Sequence, residues 1–263
     1  MADLLLIATI ALDRIWRLDG PLRPGTRIAW RSVTTRHGGG GVNTGTELVR
    51  LGHRVRVAGV VRDDAQGRES LAEMERRGLD ASLTAVLPGQ SPITEILVEP
   101  GGERTLIFPP RVAGPRPGPA RLDADLVYVN AGQLPEATDR ALAEHPSVVA
   151  QFPRLPNMAH PARWLIASRS DVPDEAPGAM FARGQALCPG ARTLVITDGR
   201  RPVTVVEEGR ETLLPVPDMV QAEDTTGAGD VFAAGMIDAL VRGGAIDEAV
   251  RQGMMSAARH LAG

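Results

Sequence analysis

Short unbroken apolar runs alternate with amphipathic stretches along most of the chain. Residues 4–11 form such a run, as expected of a strand covered on both faces in a parallel sheet. Residues 15–33 change to short alternating pieces broken by Gly20, Pro21, Pro24 and Gly25, which predicts exposed strands forming a flap. Asn43 opens a helical stretch over 43–51 that stops at Gly52, and residues 55–61 read as the next strand. A helix over 66–77 ends at Gly78, and strands over 93–98 and 104–108 flank the turn Pro100-Gly101-Gly102. The Pro- and Gly-rich residues 112–119 read as a connector, because the strand and helix alternation resumes after them.

Strands at 126–130 and 147–150 enclose a helix starting near Pro135, and strands at 164–167 and 193–197 enclose one over 175–187. Residues 203–206 and 212–214 form a hairpin turned at Glu208-Gly209. Two helices, 229–241 and 247–261, finish the chain across Gly243-Gly244. Parallel strands need crossover helices, so the pattern predicts the α/β class: a doubly wound, mostly parallel sheet with helices on both faces, plus a small β lid. The expectation is one domain over residues 1–263, with lid strands from about 14–35 and 92–109.

Composition narrows the function. With 263 residues, 43% of them hydrophobic, the chain can bury one sizeable core. A formal net charge of −3, with no clustering of Lys and Arg among aromatics, disfavours a nucleic-acid partner. The single cysteine, Cys188, cannot form an internal disulfide, and no Cys/His spacing suggests zinc, which fits a reducing cytoplasm. The apolar start carries Asp3, lacks a basic opening and has no Ala-x-Ala-like exit, so it reads as a buried strand and not a signal peptide. No run approaches the roughly 20 apolar residues of a membrane helix.

The most informative stretch is Asp224-Thr225-Thr226-Gly227-Ala228-Gly229-Asp230, leading into a helix on which Phe232, Met236 and Leu240 share a face. Small residues at Gly227, Ala228 and Gly229 let backbone N–H groups point at a ligand, and the helix N-terminus adds partial positive charge. That is an anion hole for a phosphoryl group. Asp230 in the first helical turn stands beside it as a base for a hydroxyl. Taken alone, the same residues also read as a helix-capping Asp after a glycine turn.

A second cluster is His37-Gly38-Gly39-Gly40-Gly41-Val42-Asn43. Its glycines bring backbone close to a polyol, and Asn43 offers a donor and an acceptor to neighbouring hydroxyls. A flexible turn with a capping Asn is the plainer reading. Residues 40–46 lack the lysine of a P-loop, and Phe232 stands where a dinucleotide fingerprint needs a third small residue. Asp13, beyond the first strand, falls where an open α/β sheet places its ligand crevice; its alternative is a surface pairing with Arg14 or Arg17.

The seven residues ending at Asp230 match the Asp-Thr-x-Gly-Ala-Gly-Asp signature of the ribokinase-like (PfkB) carbohydrate kinases, and the glycine run with Asn43 resembles that family's Gly-Gly-x-x-x-Asn sugar-binding turn. The resemblance spans nearly the whole chain. It implies transfer of the ATP γ-phosphate to a sugar hydroxyl with Mg²⁺ as the metal cofactor, and it admits a monovalent cation. It also implies Asp230 as base, with Gly227, Ala228 and Gly229 holding the phosphoryl charge. Asp13, Gly38, Gly39 and Asn43 would bind the sugar. Thr197 and Gly199, which resemble the nucleotide-contacting Thr-x-Gly turn, would join Thr225 and Arg169 at the nucleotide. A lid that pairs between subunits implies a homodimer. Nucleoside or other small-alcohol kinases share this machinery, and a non-catalytic sensor of sugar or nucleotide is the alternative from another class. The 3% aromatic content leans toward a sugar over a nucleobase.

Three departures qualify the resemblance. The Asn-x-x-Glu element expected after residues 164–166 is replaced by Ala167-Ser168-Arg169-Ser170-Asp171-Val172, which is similar to the Ser-Lys-Asp-Val stretch of ketohexokinases. There Arg169 would touch phosphates and Asp171 would serve the metal through water. Gly40 replaces a polar residue of many members, removing one hydroxyl contact. The sequence stops at Gly263, soon after the helix that packs on adenine, so the expected nucleotide pocket is open or closed by a neighbour. Arg36, His37 and Arg104 leave room for a substrate that already carries a phosphate.

Overall fold

The computed structural model describes residues 1–109, 115–172, 174–217 and 225–262. In chain order the first half contains β1 (Asp3–Ala8), β2 (Ala11–Leu18), β3 (Trp30–Gly38), α1 (Gly40–Arg50), β4 (Arg54–Ala58), β5 (Val60–Arg62), α2 (Ala65–Arg76), β6 (Ala85–Leu87), β7 (Ile93–Val98) and β8 (Arg104–Ile107). The second half continues with β9 (Leu126–Asn130), α3 (Glu136–Glu144), β10 (Val148–Gln151), β11 (Trp164–Ser168), α4 (Pro177–Leu187), β12 (Thr193–Asp198), β13 (Arg201–Glu207), β14 (Arg210–Leu214), α5 (Ala228–Val241) and α6 (Ile246–Ala262).

The main sheet has the order β14-β13-β12-β11-β10-β9-β1-β4. From β4 to β12 neighbouring strands are parallel, and β13 and β14 add an antiparallel edge. Side chains alternate across this sheet, so each strand feeds two cores. Leu4, Leu6, Leu126, Tyr128, Val149, Ile166 and Val195 pack with α1, α2, α5 and α6. Leu5, Ile7, Val127, Val129, Leu165 and Leu194 pack with α3 and α4. The expected doubly wound sheet with helices on both faces is therefore present. Helix α5 is apolar nearly all round because it lies between α1 and α6, burying residues from Val231 to Ala239. That wedging fixes the helix whose first turn carries Asp230.

A second sheet, β3-β2-β7-β8, forms the lid. In its register Asp13 lies opposite Arg36 and Thr94, and Val98 lies opposite Arg104, so these side chains share one face. A small core of Ile15, Ile96 and Val98 holds that face together.

Several boundaries differ from the sequence reading. Residues 4–11 are not one strand: β1 ends at Ala8 and β2 begins at Ala11 in the other sheet. Asp13 thus belongs to a lid strand, not to the exit of β1. Residues 55–61 likewise split into β4 and β5, the latter pairing with β6 in a two-stranded sheet that the sequence pattern does not show. Helix α1 begins at Gly40, so Asn43 sits inside its first turns and does not open it. Asp224 and residues 112–114 of the connector lie outside the described residues.

Candidate active site

The cleft lies where the carboxyl ends of β1 and β9 meet the first turns of α1 and α5. Gly227, at φ +85°, caps α5 in the left-handed conformation that glycine tolerates best. The Ala228 N–H bonds back to the Thr225 carbonyl at 3.3 Å. The N–H groups of Gly229 and Asp230 have no backbone partner among the described residues, and a Cβ on Gly229 would meet nothing within 4 Å. Both donors lie at the positive end of a helix, and the one on Gly229 borders open space, which suits an anionic group. Of the three residues expected to form the hole, Ala228 turns its donor back into the turn, whereas Gly229 keeps its own free of backbone partners.

Helix α1 grips Asp230 twice. Asn43 Nδ2 donates to Asp230 Oδ2 at 2.8 Å, and the Thr44 hydroxyl donates to the Asp230 carbonyl at 3.2 Å. Burial raises the Asp230 pKa above the ordinary carboxylate value; the Asn43 hydrogen bond and the charges of Arg36 and His260 oppose that rise. Asp13 is also raised, first by burial and further by Asp230, with Arg36 opposing. Two carboxylates therefore face one cleft under one guanidinium. Gly38 closes the approach: a Cβ there would stand 2.7 Å from Asp13 Oδ2 and 3.6 Å from Asn43 Nδ2. Asp13, Gly38, Asn43 and Asp230 converge, although they come from a lid strand, a lid strand's end and two helices.

Gly39 joins the lid to α1 at φ +83° and ψ 164°, a region open essentially to glycine alone. Its carbonyl accepts the Asn43 N–H at 2.9 Å, which fixes the Asn43 backbone in the first turn of α1.

The nucleotide candidates are more scattered. Thr197 donates its hydroxyl to the Ala167 carbonyl at 3.2 Å, and Gly199 turns the chain at φ +58° with open space beside it. Thr225 is exposed at the mouth of the α5 turn. Arg169 is directed elsewhere: its Nη1 donates to the Glu175 carbonyl at 2.6 Å, so a phosphate would have to draw it off α4. Asp171 pairs with Arg154 at 2.7 Å. Among the described residues no group of three or more His, Cys, Asp or Glu side chains could hold a metal.

Sequence reasoning missed several neighbours. His260 of α6 donates from Nε2 to the Thr226 carbonyl at 2.9 Å. Arg104 of the lid, by contrast, was already named from the sequence, and it donates to the Thr226 hydroxyl at 3.1 Å. Asn130 ends β9 beside Gly40; its place after an apolar strand was the available signal. His37 faces away from the cleft, within 2.9 Å of the Ser70 hydroxyl on α2.

The sequence profile described as "pfkB family carbohydrate kinase" matches residues 1–153 and 170–260. The chain belongs to this family. Membership makes it a phosphotransferase acting on an alcohol group of a sugar or nucleoside. Among curated pfkB relatives, the ribokinase of Bacillus subtilis (strain 168) is 26% identical over 269 residues, covering 95% of this chain and 90% of the relative. Among solved structures, an Arabidopsis thaliana ribokinase complexed with ribose and ATP superposes with a TM-score of 0.76 at 18% identity, covering 100% of this chain and 94% of that one. A Burkholderia thailandensis nucleoside kinase in complex with inosine gives 0.76 at 20% identity, covering 99% and 91%. The ribokinase fold is shared across the whole chain. Among the described residues no helix is long and apolar enough to cross a membrane.

Proposed function

We propose that this pfkB-family enzyme transfers the γ-phosphate of ATP to a hydroxyl of a sugar, with Asp230 as the base. The observation that carries the reading is the Asp230 carboxylate, fixed by Asn43 at 2.8 Å, beside unpaired N–H groups at a helix N-terminus and in one cleft with Asp13. ATP supplies the phosphoryl group, and Mg²⁺ offsets charge on its oxygens.

Each residue then has a physical task. Asp13 and Asn43 accept and donate to sugar hydroxyls, and Gly38 and Gly39 keep the backbone close enough for them to do so. The attacking hydroxyl gives its proton to the free oxygen of Asp230, whose other oxygen is occupied by Asn43. Donors at Gly229 and Asp230, where the Gly227–Gly229 turn enters α5, meet the charge on the migrating phosphoryl group. The turn at Thr197 and Gly199 and the mouth at Thr225 support the nucleotide. Holding both reactants in one cleft makes the attack effectively intramolecular. The lid sheet excludes water, with Arg104 linking it to Thr226.

We assign the whole span 1–263 to one kinase domain with its lid. The lid leaves Trp30, Val33, Ile107 and Phe108 exposed, which supports pairing with the lid of a second copy; a monomer mass in sedimentation would overturn the dimer. The lone cysteine, Cys188, is buried, which suits a cytoplasmic enzyme.

The function is tested by ADP release on an acceptor panel of pentoses, hexoses, their phosphates and nucleosides. Sugar-dependent ADP is expected. Release with nucleosides alone makes the chain a nucleoside kinase. A folded, ATP-binding sample that releases none with any acceptor favours the sensor and removes the phosphotransfer reading.

A further inference from the structure

Asn130 is the last residue of β9 and stands opposite Ala8, the last residue of β1, in the parallel register. Its carbonyl accepts the Thr9 N–H at 3.0 Å, so its backbone is fixed at the carboxyl ends of two central strands. Strand alternation puts its side chain on the Tyr128 side of the sheet, the side covered by α1 and α5.

There it meets Gly40. A Cβ on Gly40 would lie 2.3 Å from Asn130 Nδ2 and 2.9 Å from Asn130 Cγ. Gly40 is buried within α1 and needs no left-handed backbone, so its glycine serves space and not conformation. The carboxamide fills the volume that a side chain at the start of α1 would take.

The carboxamide is also oriented. Its Nδ2 donates to the Tyr128 hydroxyl at 3.4 Å, and that oxygen accepts a second N–H from Gln151 at 2.8 Å. Tyr128 is fully buried and neighbours the Thr44 side chain, whose hydroxyl donates to the Asp230 carbonyl. Asn130 is thus held at one amide hydrogen. Its Oδ1 and its second N–H have no hydrogen bond to another described residue. An amide offering one donor and one acceptor at the mouth of the cleft is suited to reading neighbouring hydroxyls.

We propose that Asn130, seated over Gly40, contacts the acceptor alcohol and determines specificity from the sheet side of the cleft, opposite Asp13 on the lid. The proposal rests on the phosphotransfer reading above and adds to it the residue that selects among acceptors. A substrate hydroxyl placed against a fixed amide counts strongly, because its loss leaves buried polar groups unpaired.

The test takes the best acceptor of the panel and its monodeoxy analogues, and compares the native protein with Asn130→Ala and the isosteric Asn130→Asp. For the parent acceptor, kcat/KM falls about 10- to 100-fold in Asn130→Ala, mainly through KM, while KM for ATP stays within about two-fold. One monodeoxy analogue, lacking the hydroxyl that Asn130 reads, is turned over equally by the native protein and the variant. Asn130→Asp keeps the volume over Gly40 but loses the donors, and shows the same analogue dependence should the alanine variant fail to fold. Unchanged kcat/KM, or an equal loss for the parent and every analogue, overturns the proposal while leaving the phosphotransfer reading intact. A native protein without acceptor-dependent ADP release removes both.

Discussion

Asp230→Asn lowers kcat by about 10²- to 10⁴-fold, the range that a positioned general base supplies, while calorimetry still detects nucleotide binding. The substitution preserves shape, and the new amide oxygen can still accept the Asn43 N–H that now reaches Asp230 Oδ2 at 2.8 Å. What disappears is proton affinity. Burial raises the Asp230 pKa, so the fold opposes the ionised form: this group's contribution to stability is fully present below its unfolded pKa and is lost as pH rises through the folded value. At neutral pH the neutral amide removes that opposition, and the variant melts no lower than the native protein. The same shift sets the acid limb of kcat/KM in the native enzyme above about pH 4, the ordinary carboxylate value, because the base must be deprotonated to act. Asp13, raised for a related reason, is separated by Asp13→Asn, in which the limb persists. Near-native turnover by Asp230→Asn would remove the base assignment.

The layer architecture was legible because strands buried on both faces read as unbroken apolar runs and the helices between them keep their period. The breaks inside those runs were not legible. Nothing in the apolar character of residues 4–11 marks the change of sheet between Ala8 and Ala11, since Leu12 and Ile15 are as buried in the lid as Leu6 is in the main core. Asp13 therefore reached the cleft by a route other than the one its sequence position suggested. The early start of α1 was hidden for a related reason. Glycine disfavours helix, and the N-cap Gly39 supplies no side-chain hydrogen bond. Tertiary fit decides instead, because the first residues of α1 pass so close to Thr9, Val57 and Asn130 that side chains are excluded.

The candidate site divides along the same line. Asp230, Asn43 and Gly38 sit in local strings whose chemistry can be read directly. Thr44, Tyr128, Asn130 and His260 act through partners distant in sequence, and each looks locally like an ordinary helix or strand residue. Arg169 shows the converse: a cation placed well by sequence is engaged by the Glu175 carbonyl at 2.6 Å. A local string gives residue type and spacing, whereas the direction of a long flexible side chain depends on acceptors that only the fold assembles.

Gly39→Ala is expected to destabilise the protein by on the order of 3 kcal/mol, lowering Tm by about 6–12 °C for a chain of this size. Two effects combine. At φ +83° and ψ 164° an L-residue is strained, and the new Cβ would lie 2.5 Å from the Thr9 carbonyl oxygen and 3.0 Å from the Ala11 nitrogen. Both obstacles are backbone at the junction of β1 and β2, which cannot yield without moving the lid. Gly52→Ala separates the contributions: it has φ +92° but nothing within 4 Å of the added methyl, so strain acts alone and about 1 kcal/mol is expected. Activity should part the two variants further. Gly39 accepts the Asn43 N–H and links Gly38 and the lid to α1, so relieving the clash draws Asn43 away from Asp230. Gly52 lies at the far end of α1, and its variant keeps full turnover once folded. Thermal denaturation and ADP release measured on both variants decide the matter. Equal melting temperatures for the two would mean that the Thr9 contact yields freely, and that the glycine run does not hold the acceptor cleft in shape.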